Sequence, residues 1–149
     1  MQHIHTPHPH MSDSANPVVL YDGVCGLCNR LVRFVLKYDR RAHFRFASLQ
    51  SAYAARILQR FNLDPDDLDT VYVVQESTEE LSSRSGAVIF LLRELGGFWP
   101  SVALVLRLFP KSLRNWGYGV VARGRYRVFG KYDSCPLPEE RYQDRFLDV

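Results

Sequence analysis

The sequence predicts an α/β domain whose elements run β-α-β-α-β-β-α, extended at its C-terminal end by helices. Three observations carry that prediction. Short apolar runs at Val18-Val19-Leu20-Tyr21, Phe44-Arg45-Phe46-Ala47 and Val71-Tyr72-Val73-Val74 have the length and composition of strands. The segments between them repeat their apolar residues at helical spacing. Beyond Gly97 the pattern is helical again.

The chain has 149 residues, nearly half of them apolar. That suits one domain with its own core and no metal or disulfide staple. Residues 1–16 are expected to form a disordered tail. His3, His5, His8 and His10 alternate there with small residues and prolines, a tract whose alternative use is weak binding of Ni or Cu ions. Val18–Tyr21 reads as a buried strand. The first helix should run from about Cys25 to Tyr38, with Leu27, Leu31, Phe34, Val35 and Tyr38 on its apolar face. Arg30, Arg33, Lys37 and Arg41 form a basic stripe. A solvated surface is the favoured reading of it; attraction of an anionic substrate, or added positive potential near Cys25, is the other.

Residues 44–47 form the second predicted strand. Ser51 is placed to cap a second helix ending near Phe61. Asp64-Pro65-Asp66-Asp67 marks a loop. Val71–Val74 is the third strand, and polar Glu76–Glu80 turns it into a short fourth strand around Leu81-Ser82. Ser85 is expected to cap a third helix from about Gly86 to Leu95, ended by Gly96-Gly97. Pro100 suits the first position of the next helix, and Pro110 breaks it. Ser112 is expected to cap a last helical stretch, Leu113–Phe129, closed by Gly130. Its Gly117, Gly119 and Gly124 each weaken an isolated helix by about 1 kcal/mol, so they imply close packing or a kink. The domain division is thus a tail over 1–16, a core over 17–97 and a helical extension over 98–149 packed on the same domain, with final residues that dock only weakly. The first two strands would pair parallel through a crossover and the last two antiparallel, which is the arrangement of the thioredoxin core.

The formal charge of +3 is mild. With no aromatic-plus-basic RNA motif and no zinc-finger spacing, no nucleic-acid partner is expected. Three cysteines is an odd count, unlike a secreted disulfide framework. The N-terminal residues lack the charged and apolar regions of a secretory signal. A reducing cytoplasm is therefore the expected compartment. No run reaches the length of a membrane span. The nearest, Phe98–Phe109, contains Arg107 and is read as a packed helix, with a membrane-surface helix as the alternative.

The chemistry lies in Asp22-Gly23-Val24-Cys25-Gly26-Leu27-Cys28-Asn29. A Cys-x-x-Cys at a strand-to-helix junction places two sulfurs on one helical turn. The first sits among free N–H groups at the positive end of the helix dipole, where a thiolate is stabilised. Cys25 is therefore the expected nucleophile. Cys28, one turn in and beside Leu31, Val32 and Val35, is expected to be the more buried and to resolve the mixed disulfide. Asp22 is read in two ways, as a turn or cap carboxylate and as a group that accepts or relays the proton of Cys28. Tyr21 is read as a packed strand residue that can contact the site. No cofactor beyond the dithiol is expected. The expected partners are a protein or small-molecule disulfide and an electron donor such as thioredoxin, glutathione or a reductase.

Two other functions fit the residues. Cys25, Cys28 and Cys135, completed by Asp22, His43 or water, would make a tetrahedral metal or cluster site. Cys135 can equally be a resolving thiol or inert, and His43 a structural or surface residue. A non-catalytic domain would instead use the basic, aromatic C-terminal helices against a protein or membrane surface.

Tyr21–Asn29, followed by Phe34 and by Phe44-Arg45-Phe46-Ala47-Ser48-Leu49, resembles the DCC family of thiol–disulfide oxidoreductases, named for an Asp-x-x-Cys-x-x-Cys motif filled here by Asp22, Cys25 and Cys28. Ser85-Gly86-Ala87 with Leu95-Gly96-Gly97 is similar to the family's third helix. Arg114–Tyr118, Arg125–Gly130, Cys135 and Pro138 are similar to its C-terminal signature. The resemblance covers most of residues 17–149 and implies a thioredoxin-like fold and dithiol oxidoreductase activity. Thioredoxins themselves carry a cis-proline just before the third core strand; here Asp69-Thr70 stand there. That departure argues against a standard thioredoxin-type reductant and leaves room for a metal beside the dithiol.

Overall fold

The structure, a computed structural model, describes residues 16–64, 70–131 and 140–147. The His-rich tail before Asn16, most of the loop after Asp64, and Cys135 lie outside the described residues. Four strands, β1 (Val18–Tyr21), β2 (Arg45–Ser48), β3 (Tyr72–Gln75) and β4 (Glu80–Ser83), form one sheet in the order β2-β1-β3-β4. β1 pairs parallel with β2, with Val19 opposite Phe46, and antiparallel with β3, with Val19 opposite Val73. β3 and β4 pair antiparallel. This is the thioredoxin-like arrangement that the element order predicts.

β1 is central and buried on both faces, which is why it reads as an unbroken apolar run. Its side chains alternate between two cores. Val19 and Tyr21 join Phe44, Phe46 and Val73 beneath α1 (Gly26–Tyr38) and α3 (Arg84–Glu94). Val18 and Leu20 join Ala47, Tyr72 and Val74 against α2 (Ala52–Arg60). Ser51 caps α2 as expected, its hydroxyl accepting from Ala54 N–H at 3.1 Å.

Three starts differ from the sequence reading. α3 begins at Arg84 with Ser83 as its cap residue; Ser85 is buried inside the helix, its hydroxyl donating to Asn115 Oδ1 at 2.5 Å and tying α3 to α5 (Lys111–Phe129). Pro110, not Ser112, precedes the first turn of α5. In α4 (Trp99–Arg107) Pro100 holds the second position rather than the first. α5 runs through its three glycines unbroken. Gly119 is buried where a Cβ would come within 3.2 Å of the Arg84 guanidinium, so its missing side chain allows that approach.

The C-terminal residues dock more firmly than expected. Arg145, at the end of the 3₁₀ turn Glu140–Arg145, reaches the buried carboxylate of Asp39 at 2.5 Å and donates to Phe44 O at 3.2 Å. Asp39 also accepts from Phe44 N–H at 2.8 Å and His43 N–H at 3.1 Å. Phe146 stacks on Phe46 with centroids 5.2 Å apart. Removing one partner of a buried pair leaves the other charge uncompensated. Arg145→Ala is therefore expected to lower unfolding stability by about 3 kcal/mol in urea titration. A loss below roughly 1 kcal/mol would mean solvent already screens the pair.

Candidate active site

The turn after β1 and the start of α1 carry the dithiol. Cys25 is the cap residue of α1; its extended backbone (φ −84°, ψ 128°) turns its sulfur back over the first turn, where it accepts from the Cys28 N–H at 3.4 Å. Cys25 O accepts the first helical bond, from Asn29 N–H at 3.0 Å. The Asn29 amide fastens the turn, donating to Gly23 O at 2.8 Å and Cys25 O at 2.9 Å. No acidic residue stands in the first turn of α1 to oppose a thiolate. Both sulfurs are free thiols.

The two thiols are displaced in opposite directions. Cys25 is pulled down from 9.0 to about 6. The largest cause is the hydrogen bond donated by the Cys28 thiol. Burial opposes it, and the N–H groups of Cys28 and Leu27 and the charge of Arg125 add to the lowering. Cys28 is pushed well above the ordinary thiol range. Its hydrogen bond to Cys25 comes first among the causes, then burial, then the charge on Cys25. At neutral pH the pair shares one proton, and Cys28 holds it.

Asp22 lies beneath the turn, fully buried. Its Oδ1 accepts from Gln50 Nε2 at 2.8 Å and Val24 N–H at 3.2 Å. Its Oδ2 accepts from Arg125 Nη2 at 3.2 Å and from the Tyr126 hydroxyl at short range. Burial alone would raise this carboxyl, but the bonds from Tyr126, Gln50, Val24 and Arg125 together outweigh it and hold it low. Tyr126 is pushed up to about 12, by burial first and then by its bond to Asp22, so it keeps its proton and donates. Asp22 is thus an ionised carboxylate.

Cys28 lies the deeper of the two within the protein, as its place one turn into the helix predicts. Cys25 nonetheless has the less exposed surface, 0% against 7%. The end of α5 causes this. Gly26 N–H donates to Gly130 O at 3.0 Å, and Cys25 forms an antiparallel bridge with Lys131. A Cβ at Gly26 would fall 2.0 Å from Phe129 O, so only glycine admits this strap. Cys28 faces the other way. With Leu27, Leu31, Val71, Tyr118 and Val121 it lines an almost wholly apolar cavity of about 360 Å³. Val71, which leads into β3 where thioredoxins carry their cis-proline, has its N–H taken by the Tyr118 hydroxyl at 2.8 Å. No cis peptide bond occurs among the described residues.

The structure therefore gathers Cys25, Cys28 and Asp22, and Tyr21 packs in the same core cluster as the cysteines. His43 stands elsewhere, with Nε2 3.2 Å from Glu94 Oε1. Among the described residues, no group of three or more His, Cys, Asp or Glu could hold a metal ion; Cys135, the third ligand of the metal reading, lies outside them. Of the expected basic stripe, Arg30 on α1 stacks over Phe129, while Arg41 lies past the end of the helix and donates to Glu94 O. The cation that bears on Cys25 is instead Arg125. Sequence reasoning assigned no role to Arg125, Tyr126, Gln50 or Asn29, and it gave Gly26 only the tuning of the redox potential between the two cysteines. A signal for Arg125 exists: it continues the inward stripe of Gly119 and Ala122 on α5, and a charge in such a stripe needs a buried partner.

The thioredoxin-like sheet thus carries a Cys-x-x-Cys at the head of its first helix. Residues 19–131 match the DCC1-like thiol-disulfide oxidoreductase family, and the chain belongs to it. It is 36% identical over 125 residues to a DCC family protein of Arabidopsis thaliana, At1g52590, chloroplastic, covering 84% of this chain and 72% of that protein. It is 36% identical over 132 residues to the uncharacterized protein YuxK of Bacillus subtilis (strain 168), covering 89% of this chain and 94% of that protein. No solved structure matches. The family supports a general thiol–disulfide oxidoreductase role. No helix of the described residues is long and apolar enough to cross a membrane.

The strap gives a direct test. Gly26→Ala is expected to push Phe129–Lys131 off Cys25, costing about 1–3 kcal/mol of stability. Alkylation of Cys25 by iodoacetamide, compared at equal thiolate fraction, should become several-fold faster. An unchanged rate would show that the strap does not limit access.

Proposed function

We propose that this chain exchanges its Cys25/Cys28 dithiol with a substrate disulfide through a mixed disulfide. The observation that carries this reading is the place of the Cys25 sulfur at the cap of α1, accepting from Cys28 N–H at 3.4 Å, with Cys28 on the apolar cavity; the first thiol is accordingly shifted down and the second up. The Cys25 thiolate attacks one sulfur of the substrate. That S–S bond breaks, a Cys25–substrate bond forms, and the departing thiolate takes a proton from water. The negative charge on Cys25 is then gone, and with it the main cause that holds the proton on Cys28. Cys28 gives its proton to water and attacks the Cys25 sulfur. The mixed disulfide breaks, the Cys25–Cys28 disulfide forms, and the second substrate thiolate leaves. The substrate has gained two electrons and the dithiol has lost them.

Asp22 serves this cycle as a positioning carboxylate. All four of its bonds go to Val24, Gln50, Arg125 and Tyr126, and its lowered pKa makes it a weak base. It holds Arg125 near Cys25. Because Cys25 is covered, attack on a bulky disulfide requires the Phe129–Lys131 strap to move aside. The substrate is a protein or small-molecule disulfide, and a thiol reductant such as thioredoxin, glutathione or a reductase restores the dithiol. A cytoplasmic setting, where thiols stay reduced, suits this cycle.

Cys25→Ser is expected to abolish reduction of insulin disulfides coupled to a thiol donor. Cys28→Ser should accumulate a mixed disulfide on Cys25, seen as an added mass that dithiothreitol removes. Equal turnover by both variants and the unsubstituted protein would contradict the proposal.

A further inference from the structure

Every large apolar side chain that is exposed among the described residues lies between Phe98 and Phe129. α4 buries only Ala103 fully, while Leu104 and Val105 on its outer side are more than half exposed. The packed helix expected from the sequence is therefore packed on one side only. The turn to α5 carries Leu108, 78% exposed, and Phe109. On α5, Leu113, Trp116 and Val120 follow at helical spacing, with Trp116 66% exposed. Exposed apolar side chains concentrated in one segment mark an interaction site more often than a free surface.

The charge of the same segment is one-sided. Between Glu94 and Asp133 the chain has seven Lys and Arg residues and no Asp or Glu. Arg107, Lys111, Arg123 and Arg127 are exposed among the apolar groups. A second copy of the chain is a poor cover for this face. A two-fold interface sets a patch against itself, and here that would bring like charges together. A surface with an apolar interior and an anionic rim meets both features.

We propose that the exposed sides of α4 and α5, with the turn that joins them, seat this protein on an anionic lipid bilayer. The Leu108–Phe109 tip and the Trp116 ring enter the headgroup–acyl boundary, and the arginines and Lys111 meet the lipid phosphates. The helices lie on the membrane and do not span it. Val121, half exposed beside this face, also lines the Cys28 cavity, so docking brings that cavity's wall against the lipid.

Flotation of the full chain with vesicles tests the proposal. Vesicles of phosphatidylcholine with equimolar phosphatidylglycerol should carry the protein upward, at least about tenfold more than phosphatidylcholine alone, and roughly 0.5 M salt should weaken the binding. Tryptophan emission should shift to shorter wavelength and be quenched by brominated lipid. L108E with W116E changes two exposed side chains; it should keep the circular dichroism of the folded chain and lose at least about tenfold in binding. R123E with R127E is a second variant on the charge side and should lose binding to the anionic vesicles alone. Cys25→Ser should float like the unsubstituted protein, which separates this proposal from the dithiol chemistry. A folded protein that stays unbound with anionic vesicles overturns it. So does a concentration-dependent dimer, seen by ultracentrifugation and abolished by L108E/W116E, in a protein that ignores lipid.

Discussion

A carboxylate with no exposure to water, directly beneath the reactive turn, is the constraint around which this structure is arranged. Asp22 remains ionised there only because Tyr126, Gln50, Val24 and Arg125 all donate to it. The cation comes from 103 positions further along the chain. α5 must therefore pack across the head of α1, since Arg125 reaches Asp22 only from there. Once it does, Phe129, Gly130 and Lys131 fall on Cys25 and Gly26. One ion pair thus sets the helical extension, the strap and part of the field at the nucleophile. The C-terminal residues repeat the device at the far end of α1, where Arg145 satisfies the buried Asp39.

The dithiol has two environments that differ in kind. Cys25 sits among polar backbone groups under the strap, and its anion is favoured by donors already in place. Cys28 faces an apolar cavity, where a charge is penalised and a proton is kept. In the proposed cycle, covering Cys25 protects its thiolate from casual oxidation and adduction, and it makes access, rather than acidity, the step that a substrate must overcome.

Much of the fold was legible because its signals are local. β1 declares itself as four apolar residues, and Ser51 as a cap before an amphipathic run. The element order then restricts the sheet to few topologies. The motif residues Asp22, Cys25 and Cys28 are adjacent in sequence, so their meeting needed no tertiary information. What stayed hidden depends on contacts between distant segments. Arg125 looks like one more basic residue in a basic helix until Asp22 is set opposite it. Gly26 looks like a spacer between cysteines until Phe129 O is found against it. That Cys25 has no exposed surface stayed hidden for the same reason: helix position puts Cys28 deeper, and only the returning strap closes over Cys25. Ser85 and Ser112 each have a capping residue's chemistry, but Ser85 is used across helices and Pro110 already opens α5.

The central claim is that Cys25 is held as a thiolate by Cys28 and by the first turn of α1. The most direct measurement is the rate of Cys25 alkylation against pH in a Cys135→Ala protein, with the modified peptide quantified by mass spectrometry. A thiol whose pKa is lowered reacts fully above that pKa and slows as pH falls through it. The account predicts an inflection near pH 6, moving upward when Cys28 is replaced by alanine. An inflection near 9, the value of an unperturbed thiol, in the protein that retains Cys28 would contradict it.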